Sequence, residues 1–275
     1  MRELKDKIAL VTGSSQGIGR ETALALARAG CHVILTARSK PGLDETAQEI
    51  EKLGRRSQVI VAELSDRTQI EMMCHQGMDI FKRVDILVNN AAIQIIGRLE
   101  EIPIEDWDHM VAVNIWSYIY TTKLLLPQMI QRGEGHLVYL SSVAGFWGPG
   151  LMLPYATTKF ATVGFAEALA AQVRSSGIGV TVVCPAFVKT KIFDSYRVVG
   201  SDEARATVSR IREWIRSHWV MQPEYVAEKI VKAIRRDRYF LLTHPETRLL
   251  LWGRAMFPGF FARLNSWITD RFLPR

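Results

Sequence analysis

Short apolar runs alternate with longer amphipathic segments along most of this chain. The apolar runs are rich in Val, Ile and Leu, and they occupy residues 8–12, 32–37, 58–63, 85–91, 136–142 and 179–186. The segments between them repeat their apolar positions with the period of a helix. Strands that are apolar on both faces and separated by helices are typical of a parallel sheet covered on both sides. The pattern therefore predicts an α/β fold, a doubly wound parallel sheet with helices on both faces.

The alternation changes after residue 186. Residues 187–222 form an insertion that is expected to carry the substrate loop, and a helix at 222–236 and an edge strand at 238–243 follow it. Because α/β folds of this length commonly form one domain, residues 1–243 are interpreted as a single domain. Residues 244–275 are interpreted as an amphipathic helical tail, which Pro258 and Gly259 divide into two short helices.

Cysteine usage and the N-terminus exclude several classes of protein. Cys31, Cys74 and Cys184 are far apart in sequence and form no C-x-x-C pair. This spacing argues against a disulfide framework and against a metal site, and it predicts a reducing, cytoplasmic environment. The N-terminal stretch MRELKDKIALVTG runs directly into the first strand, so no signal peptide is predicted.

The net charge of +7 is concentrated near the end of the chain, where residues 201–275 contain 14 Lys and Arg against 8 Asp and Glu. No nucleic-acid-binding motif accompanies this excess, so nucleic acid is not expected as a partner. An anionic ligand and an anionic membrane surface both remain open.

A glycine-rich turn, TGSSQGIG, connects the first strand to the first helix. At the carboxyl edge of a parallel sheet, such a turn lets a pyrophosphate approach the backbone and meet the N-terminus of the helix. Gly13 is expected to make the turn, Gly17 to allow the close approach, and Gly19 to allow tight packing of the helix on the strand. The turn therefore predicts a Rossmann-like dinucleotide site. Its predicted cofactor contacts are Gly13, Ser15, Gln16, Gly17, Ile18 and Gly19.

The end of the second strand bears on the choice between NAD and NADP. An acidic residue there accepts hydrogen bonds from the ribose 2′-hydroxyl of NAD and repels a 2′-phosphate. This chain has Thr36, Ala37 and Arg38 instead, and a guanidinium can fork onto a phosphate. NADP(H) is therefore the favoured cofactor. NAD(H) stays the alternative, because Gln16 stands where a second basic residue would strengthen the preference.

A tyrosine and a lysine stand four residues apart in PYATTK, residues 154–159. Hydride transfer between a carbonyl and an alcohol needs a group that exchanges a proton with the oxygen. Free tyrosine has a pKa of about 10, and a cation one helical turn away lowers it by stabilising the phenolate. Tyr155 is thus the candidate proton donor and acceptor, and Lys159 is the cation, which also reaches ribose hydroxyls. Ser142 is expected to hydrogen-bond the substrate oxygen, while Ser141 faces the packing.

Taken together, these residues resemble the short-chain dehydrogenase/reductase family in its smaller, single-domain form. The resemblance covers roughly residues 5–243 and rests on TGSSQGIG, NNAA, AVNIW, the Ser-Tyr-Lys set and PAFVKT. It implies a tetrad in which Asn114 distorts the central helix and holds a water that links Lys159 to solvent. The further cofactor contacts that it implies are Glu63, Leu64, Asn90, Tyr155, Lys159, Pro185, Val188 and Thr190.

The same resemblance implies a homodimer or homotetramer. The contacts would lie on the helices near 104–131 and 155–175, and apolar side chains are available on the second of these helices: Phe160, Val163, Phe165 and Leu169.

Three positions depart from the usual family pattern, although none belongs to the tetrad. Ala92 replaces a glycine near the cofactor, Ala186 replaces the glycine after Pro185, and Glu63 stands where an Asp commonly meets the adenine. An active enzyme is expected. The alternatives are an NAD-dependent alcohol- or steroid-type dehydrogenase and a non-catalytic dinucleotide sensor, since such folds are also reused for binding alone.

The predicted substrate pocket is strongly apolar. Its walls are expected from residues 142–153 and the 187–222 insertion, with Phe146, Trp147, Leu151, Met152, Leu153, Phe187, Phe193, Trp214 and Trp219. No Arg or Lys is fixed in the 142–158 wall, which argues against a small carboxylate substrate. A lipophilic ketone, aldehyde or alcohol of steroid, retinoid or acyl type fits such a pocket, and carbonyl reduction is the favoured direction.

The tail is rich in large apolar residues. They are Leu249, Leu250, Leu251, Trp252, Met256, Phe257, Phe260, Phe261, Leu264, Trp267, Ile268 and Phe272, with Arg263, Asn265, Ser266, Thr269 and Asp270 expected largely on other faces. Neither helix is long enough to span a bilayer. With five Arg against two acidic residues, the tail suits a helix that lies in an anionic membrane interface. The alternatives are that it covers the protein's own substrate pocket or contacts a partner subunit.

Overall fold

Strands and helices alternate in the order that the sequence pattern predicts. The computed structural model describes residues 1–190, 197–202, 205–206, 208–210, 213, 220–244 and 246–272, apart from the side chains of Leu151, Glu246 and Phe272. The strands are β1 (Ile8–Thr12), β2 (His32–Ala37), β3 (Ser57–Val61), β4 (Ile86–Asn89), β5 (Ile95–Ile96), β6 (Gly135–Leu140), β7 (Ile178–Cys184), β8 (Arg197–Val198) and β9 (Phe240–Leu242). The α-helices are α1 (Gly17–Arg28), α2 (Lys40–Lys52), α3 (Arg67–Phe81), α4 (Ile104–Val111), α5 (Ser117–Arg132), α6 (Leu153–Val173), α7 (Pro223–Arg235), α8 (Glu246–Met256) and α9 (Pro258–Phe272).

Seven of these strands form one sheet in the order β3–β2–β1–β4–β6–β7–β9, and every neighbouring pair is parallel. The predicted doubly wound α/β fold is confirmed, and the edge strand expected at 238–243 is β9. Strand order reverses between β1 and β4, and ligands of such sheets bind in the crevice outside the carboxyl ends of the strands at this point. The separate pair β5 and β8 connects the segment after β4 to residues of the insertion.

Strand β1 shows how the sheet separates two layers of core. Ala9 and Val11 belong to a cluster that includes apolar residues of α1 and α7, whereas Ile8 and Leu10 belong to one that includes residues of α3, α5 and α6. Successive side chains of a strand point to opposite faces, so a strand covered on both sides must be apolar at every position. This explains the uninterrupted apolar run that predicted the strand.

The long helix predicted near 104–131 is not continuous. Helices α4 and α5 are joined by a π-helical turn, Ala112–Trp116, that is centred on Asn114. The Asn114 side chain is completely buried, accepts a hydrogen bond from the Ile93 N–H at 2.9 Å and donates to the Ile93 carbonyl at 3.0 Å. Single π-helical turns inside α-helices occur frequently at functional sites. The distortion that the family resemblance implies is confirmed.

The apolar residues of α6 that were considered for a subunit contact mostly face inward. Leu169 is buried, and Val163 and Phe165 pack against the protein's own core. Only Phe160 of the four is classed as exposed, at 38%. The inward orientation follows from the position of α6 against β7 and β6, because a helix on a sheet must bury one apolar side.

The tail forms the two helices that were predicted, α8 and α9, on either side of Pro258. The expected division of α9 into an apolar face and a polar remainder is only partly correct. Asn265 faces the body of the protein, where its amide donates to the Gly148 carbonyl at 2.7 Å and its oxygen accepts from the Gly150 N–H at 3.3 Å. Several aromatic side chains of the tail face outward instead.

The loop at 148–152 explains this orientation. A Cβ on Gly150 would lie 2.3 Å from the Thr269 hydroxyl, so α9 approaches the loop too closely for any side chain there. The Gly148 carbonyl and the Gly150 N–H are only partly exposed and need hydrogen-bond partners, and Asn265 supplies them where an apolar side chain could not. Among the described residues, no helix is both long and apolar enough to cross a membrane.

Candidate active site

A large cavity lies at the carboxyl ends of the central strands. Its volume is about 1500 Å³, and ligand pockets commonly have volumes of roughly 300–1,000 Å³. It therefore has room for a dinucleotide and a second molecule. Among the predicted cofactor-binding residues, all but Gly19 line this cavity: Gly13, Ser15, Gln16, Gly17, Ile18, Arg38, Glu63, Leu64, Asn90, Tyr155, Lys159, Pro185, Val188 and Thr190.

The glycine-rich turn has the geometry of an anion-binding loop. Gly13 and Gly17 have φ angles of +67° and +59°, in the left-handed region that favours glycine. Helix α1 begins at Gly17, and Gln16 before it makes no side-chain cap to the first N–H groups. Unpaired N–H groups at the positive end of a helix suit a phosphate. A Cβ on Gly19 would lie 2.2 Å from the Gly13 carbonyl oxygen, so Gly19 lies behind the cavity wall and allows α1 to pack there.

Asn90 holds the glycine-rich turn in place from the neighbouring strand. Its amide donates to the Thr12 carbonyl at 2.8 Å, and its backbone N–H donates to the Thr12 hydroxyl at 2.9 Å. Asn90 therefore lines the cavity while its amide nitrogen is used to fix the turn. The neighbouring buried Ser14 hydroxyl accepts from the Thr36 N–H at 3.0 Å and joins the same turn to the end of β2.

At the end of β2, Arg38 lies beside an acidic residue. Its guanidinium Nη1 is 3.6 Å from the Glu63 Oε2, and its side chain is 65% exposed. The other Glu63 oxygen accepts a hydrogen bond from the Ser65 N–H at 3.0 Å. A 2′-phosphate bound here would lie near both the Arg38 guanidinium and the Glu63 carboxylate. Glu63 therefore weakens the attraction of this site for a phosphate.

Tyr155 and Lys159 lie in the first two turns of α6, four residues apart and therefore on one face. Tyr155 is partly exposed on the cavity wall, whereas Lys159 is 1% exposed. The Lys159 Nζ donates to the Leu140 carbonyl at 2.7 Å and lies 5.4 Å from the centroid of the Tyr155 ring. Ser142 lies on the same cavity wall, and its Oγ accepts from the Ala144 N–H at 3.1 Å. The structure thus brings the predicted Ser, Tyr and Lys side chains together.

Ser142 lies just beyond its strand, although the sequence pattern extended that strand to residue 142. Strand β6 ends at Leu140 because the Ser142 side chain caps a short 3₁₀ turn, Val143–Gly145. Ser141 is buried, as predicted, and its hydroxyl donates to the Lys159 carbonyl at 2.9 Å.

Burial dominates the ionisation of the Tyr–Lys pair. It raises the pKa of Tyr155 to about 12, against the opposing effect of the Ser142 hydrogen bond, and it lowers the pKa of Lys159 to about 7. The sequence predicted that Lys159 would lower the pKa of Tyr155. In this geometry the ammonium binds the Leu140 carbonyl, so loss of solvent outweighs its effect on the phenol. Burial therefore favours the neutral form of both side chains, the protonated phenol of Tyr155 and the uncharged amine of Lys159.

Asn114 does not line the cavity, and it contacts the Tyr–Lys pair indirectly, through Thr158. Its amide donates to the Thr158 hydroxyl at 3.1 Å, and that hydroxyl donates to the Tyr155 carbonyl at 2.8 Å. Together with its bonds to Ile93, these contacts tie the segment after β4 to the turn of α6 that carries the Tyr–Lys pair.

Tyr118 belongs to the site as well, although the sequence reasoning did not select it. It is 2% exposed, and its hydroxyl lies 3.5 Å from the Leu140 carbonyl oxygen that also accepts from Lys159. The Lys159 Nζ lies 5.8 Å from the centroid of its ring, within the range of a cation–π contact. A signal was present, because Tyr118 follows Asn114 by four residues and shares its helix face.

The wall of the substrate region differs in part from the prediction. Trp147, Met152 and Phe187 line the cavity as expected. Phe146 does not, since it packs edge-to-face on Phe240 with ring centroids 5.1 Å apart, and Leu153 is also absent from the wall. Phe193, Trp214 and Trp219 lie outside the described residues, as does the side chain of Leu151. The tail contributes further wall residues, Thr247, Leu250, Ile268 and Arg271, which agrees with the alternative that it covers the protein's own pocket.

Two buried side-chain nitrogens on this wall lack a hydrogen-bond partner among the described residues, the amide of Gln94 and the indole of Trp147. Gln94 is 5% exposed and lines the cavity, and its amide nitrogen has no hydrogen-bond partner within the described part of the chain. Buried amides are nearly always paired, and an unpaired one costs about 1–3 kcal/mol. A polar group on a bound molecule would provide the missing partner.

Comparison with known proteins supports the dinucleotide site that the geometry indicates. The model of the family described as short chain dehydrogenase matches residues 7–198. A 3-oxoacyl-acyl-carrier-protein reductase of Thermotoga maritima is 33% identical over 209 residues, which is 76% of this chain and 83% of that protein.

Among the similar solved structures are two that match most of the chain. A short-chain dehydrogenase/reductase from Burkholderia phymatum in complex with NAD has a TM-score of 0.87 and 26% identity, and the match covers 94% of this chain and 96% of that one. A dehydrogenase from Beutenbergia cavernae with bound NADP has a TM-score of 0.75 and 28% identity, with 88% and 96% covered. With its parallel sheet, glycine-rich turn and converging Ser, Tyr and Lys side chains, this chain belongs to the short-chain dehydrogenase family and is an NAD(P)-dependent oxidoreductase.

Proposed function

We propose that the protein reduces a lipophilic ketone or aldehyde with NADPH, and that Tyr155 donates the proton. The observation that carries this proposal is the meeting of Ser142, Tyr155 and Lys159 on one cavity wall, with the Tyr155 ring one helical turn from Lys159 and 5.4 Å from its Nζ. A phenol that keeps its proton at neutral pH favours reduction over oxidation, because reduction consumes that proton.

The reaction needs one hydride and one proton. The glycine-rich turn, Arg38 and Lys159 would hold the nicotinamide cofactor, which when bound would provide the hydride for the carbonyl carbon. Tyr155 transfers its proton to that oxygen, which gives the alcohol and leaves a phenolate. Ser142 donates a hydrogen bond to the same oxygen and holds it toward Tyr155. The phenolate then recovers a proton from solvent before the next turnover.

Lys159 stabilises the phenolate as it forms. Its ammonium lies 5.4 Å from the Tyr155 ring centroid, on the same cavity wall. Asn114 and Thr158 hold the backbone at Tyr155, and the π-helical turn provides the place for a proton-relaying water. The roles of all four residues in the tetrad are part of the proposal.

The preference for NADP(H) rests on Arg38. It stands at the end of β2, where no acidic residue is present, although the Glu63 carboxylate lies 3.6 Å from its guanidinium. We expect Arg38→Asp to weaken NADPH binding by roughly 10- to 100-fold, the value of lost charge-assisted hydrogen bonds, and to improve use of NADH. Glu63→Gln is the matched variant, and it should strengthen NADPH binding because it removes the competing carboxylate. Fluorescence titration with both cofactors measures each effect. A parent enzyme that prefers NADH would contradict this part of the proposal.

The substrate is expected to be largely apolar with one further polar group. Trp147, Met152, Leu250 and Ile268 supply the apolar wall, whereas the unpaired amide of Gln94 would hydrogen-bond a second oxygen of the substrate. The similarity to a reductase of 3-oxoacyl chains supports a substrate of this kind. The sequence analysis found no basic side chain in the 142–158 wall, but Arg271 of the tail does line the cavity.

Loss of NADPH absorbance with a panel of purified carbonyl compounds tests the proposed activity. The panel should contain lipophilic ketones and aldehydes in matched pairs, with and without a second oxygen. We expect turnover with the lipophilic members and a preference for those with the second oxygen. Inertness across the panel despite measured NADPH binding would instead favour a dinucleotide sensor.

We further propose that the protein is a homodimer or homotetramer. Leu99, Ile104 and Trp116 are exposed around a surface pocket of about 480 Å³, and Phe160 is exposed on α6. Apolar patches of this kind frequently mark contacts between subunits. Light scattering at micromolar concentration should give at least twice the mass of one chain, and Ile104→Ser should lower it. A monomer mass for the parent would refute the proposal.

A further inference from the structure

The outward side of the tail carries six large apolar side chains, which together form a surface that we call the docking face. Its residues are Leu249, Trp252, Met256, Phe257, Phe260 and Trp267, and each is between 57% and 72% exposed. Single exposed apolar residues are normal on soluble proteins. Six of them within residues 249–267 form a concentrated apolar surface, and such surfaces commonly mark sites of interaction.

Basic residues accompany this face. Arg248 and Arg263 are exposed on the same two helices, and so is Arg271, which also borders the cavity. Asp270 is the one exposed carboxylate among the tail side chains that the structure describes. Helices that lie in the surface of a membrane combine Trp, Phe and Leu with Arg and Lys in this way. The arginines would meet lipid phosphates while the aromatic rings enter the boundary between headgroups and acyl chains.

We propose that the docking face binds the surface of an anionic phospholipid membrane, with α8 and α9 lying in the plane of the interface. The orientation of α9 supports a surface built for this contact. Asn265 and Thr269 pack against the loop at 148–152, so Trp267 and Phe260 remain outside although an aromatic ring could have been buried. In a tail that only covers its own pocket, the aromatic side chains would be the ones turned inward.

Charge disfavours a second copy of the chain as the occupant. A two-fold contact through this face would place the arginines of one tail beside those of the other, because the same patch meets itself. Like charges that lose water at such a contact repel each other, and Asp270 alone cannot neutralise three arginines. An anionic lipid surface pairs with every one of them.

The inner side of the same helices borders the active-site cavity. Thr247, Leu250 and Ile268 line the cavity, and α-helices are only about 10–12 Å thick with their side chains. Membrane docking would therefore hold the mouth of the cavity at the lipid surface, where an apolar molecule could enter without crossing water. This consequence rests on the proposed lipophilic substrate, whereas docking itself does not.

Flotation of the full chain with liposomes tests the inference without any assay of activity. We expect the chain to float with vesicles of phosphatidylcholine and phosphatidylglycerol, to float less with phosphatidylcholine alone, and to dissociate as salt is raised. Substitutions are preferred to truncation, because α8 and α9 form part of the cavity wall. The test variant is Leu249→Ser/Met256→Ser/Phe260→Ser, and the matched control is Leu53→Ser/Met72→Ser/Tyr225→Ser, which removes exposed residues of similar type elsewhere.

The tail variant should lose roughly tenfold or more in vesicle affinity, and the control should keep the parent affinity. Arg263→Gln should weaken binding to anionic vesicles roughly fivefold, since each basic side chain near an anionic surface contributes about that factor. Three results would overturn the inference: no flotation of the parent with anionic vesicles, equal loss in both triple variants, or a tail variant that loses self-association while the parent does not float. NADPH binding by each variant, unchanged, would show that the fold is intact.

Discussion

Tyr155→Phe is expected to reduce carbonyl turnover by about 10²- to 10⁴-fold, which is the range for loss of a general acid. The substitution removes one hydroxyl and leaves the ring packed beside Lys159 and the cavity wall. NADPH affinity should change little, because the glycine-rich turn and the end of β2 are untouched. Steady-state kinetics with the best substrate of the carbonyl panel, together with NADPH titration, measures both quantities.

The matched control is Tyr139→Phe. Tyr139 is a fully buried phenol whose hydroxyl lies 2.7 Å from the Thr122 hydroxyl, and it has no place in the cavity wall. Removal of this hydroxyl should cost some stability and leave turnover near that of the parent. Near-normal turnover in Tyr155→Phe, or an equal loss in Tyr139→Phe, would show that Tyr155 is not the proton donor.

Lys159→Ala is expected to lower turnover by roughly 10²- to 10³-fold, the cost of removing one electrostatic stabiliser of the transition state. It should also weaken NADPH binding by roughly 10- to 100-fold, because a charge-assisted hydrogen bond to the ribose is lost. The dual effect distinguishes Lys159 from Tyr155, whose loss should affect turnover alone. Single-turnover kinetics with saturating NADPH separates the two effects.

Chemical rescue provides a further test of the role of Lys159. The alanine variant leaves space for a small alkylammonium ion, which should restore part of the turnover. Lys159→Met fills the same space without a charge, so it should be inactive and resistant to rescue. Equal behaviour of the two variants would mean that Lys159 supports the fold rather than the chemistry.

The pH dependence follows from the same burial. The pKa of Lys159 is lowered to about 7, so its ammonium is present below that pH and is lost as the pH rises through it. Tyr155, with its pKa raised to about 12, stays protonated over this range. Carbonyl reduction by the parent should therefore decline above pH 7, and this decline should be absent in the residual activity of Lys159→Ala.

Local features of the sequence were sufficient to predict the sheet, the glycine-rich turn and the Tyr–Lys pair. Strands β1, β2 and β7 could be found because a strand covered on both faces must be apolar at every position. The Tyr–Lys pair could be found because four residues make about one helical turn, so its geometry is contained in one helix. The Ser142 contact was accessible for a related reason, since the carboxyl ends of parallel strands meet at one edge.

Contacts between distant segments depended on the tertiary structure. Arg38 and Glu63 are 25 positions apart, and only the pairing of β2 with β3 places a carboxylate beside the cation. The contact of Lys159 with the Leu140 carbonyl is equally non-local, and so is the burial that raises the pKa of Tyr155. Gln94 could not be selected from the sequence, because only the folded structure shows that its amide nitrogen is buried without a hydrogen-bond partner among the described residues.

In the tail, the effects of local sequence and of tertiary structure are easiest to separate. Its composition determined that it would form two amphipathic helices, since the period of apolar positions and the break at Pro258 are local properties. Which side faces the protein was decided by the loop at 148–152, whose free peptide groups bind Asn265 and whose Gly150 admits Thr269. A helical wheel ranks faces by hydrophobicity alone. In the folded protein, the side of α9 that faces the loop is the one that can pair with its peptide groups, because Asn265 forms hydrogen bonds that an aromatic ring cannot form.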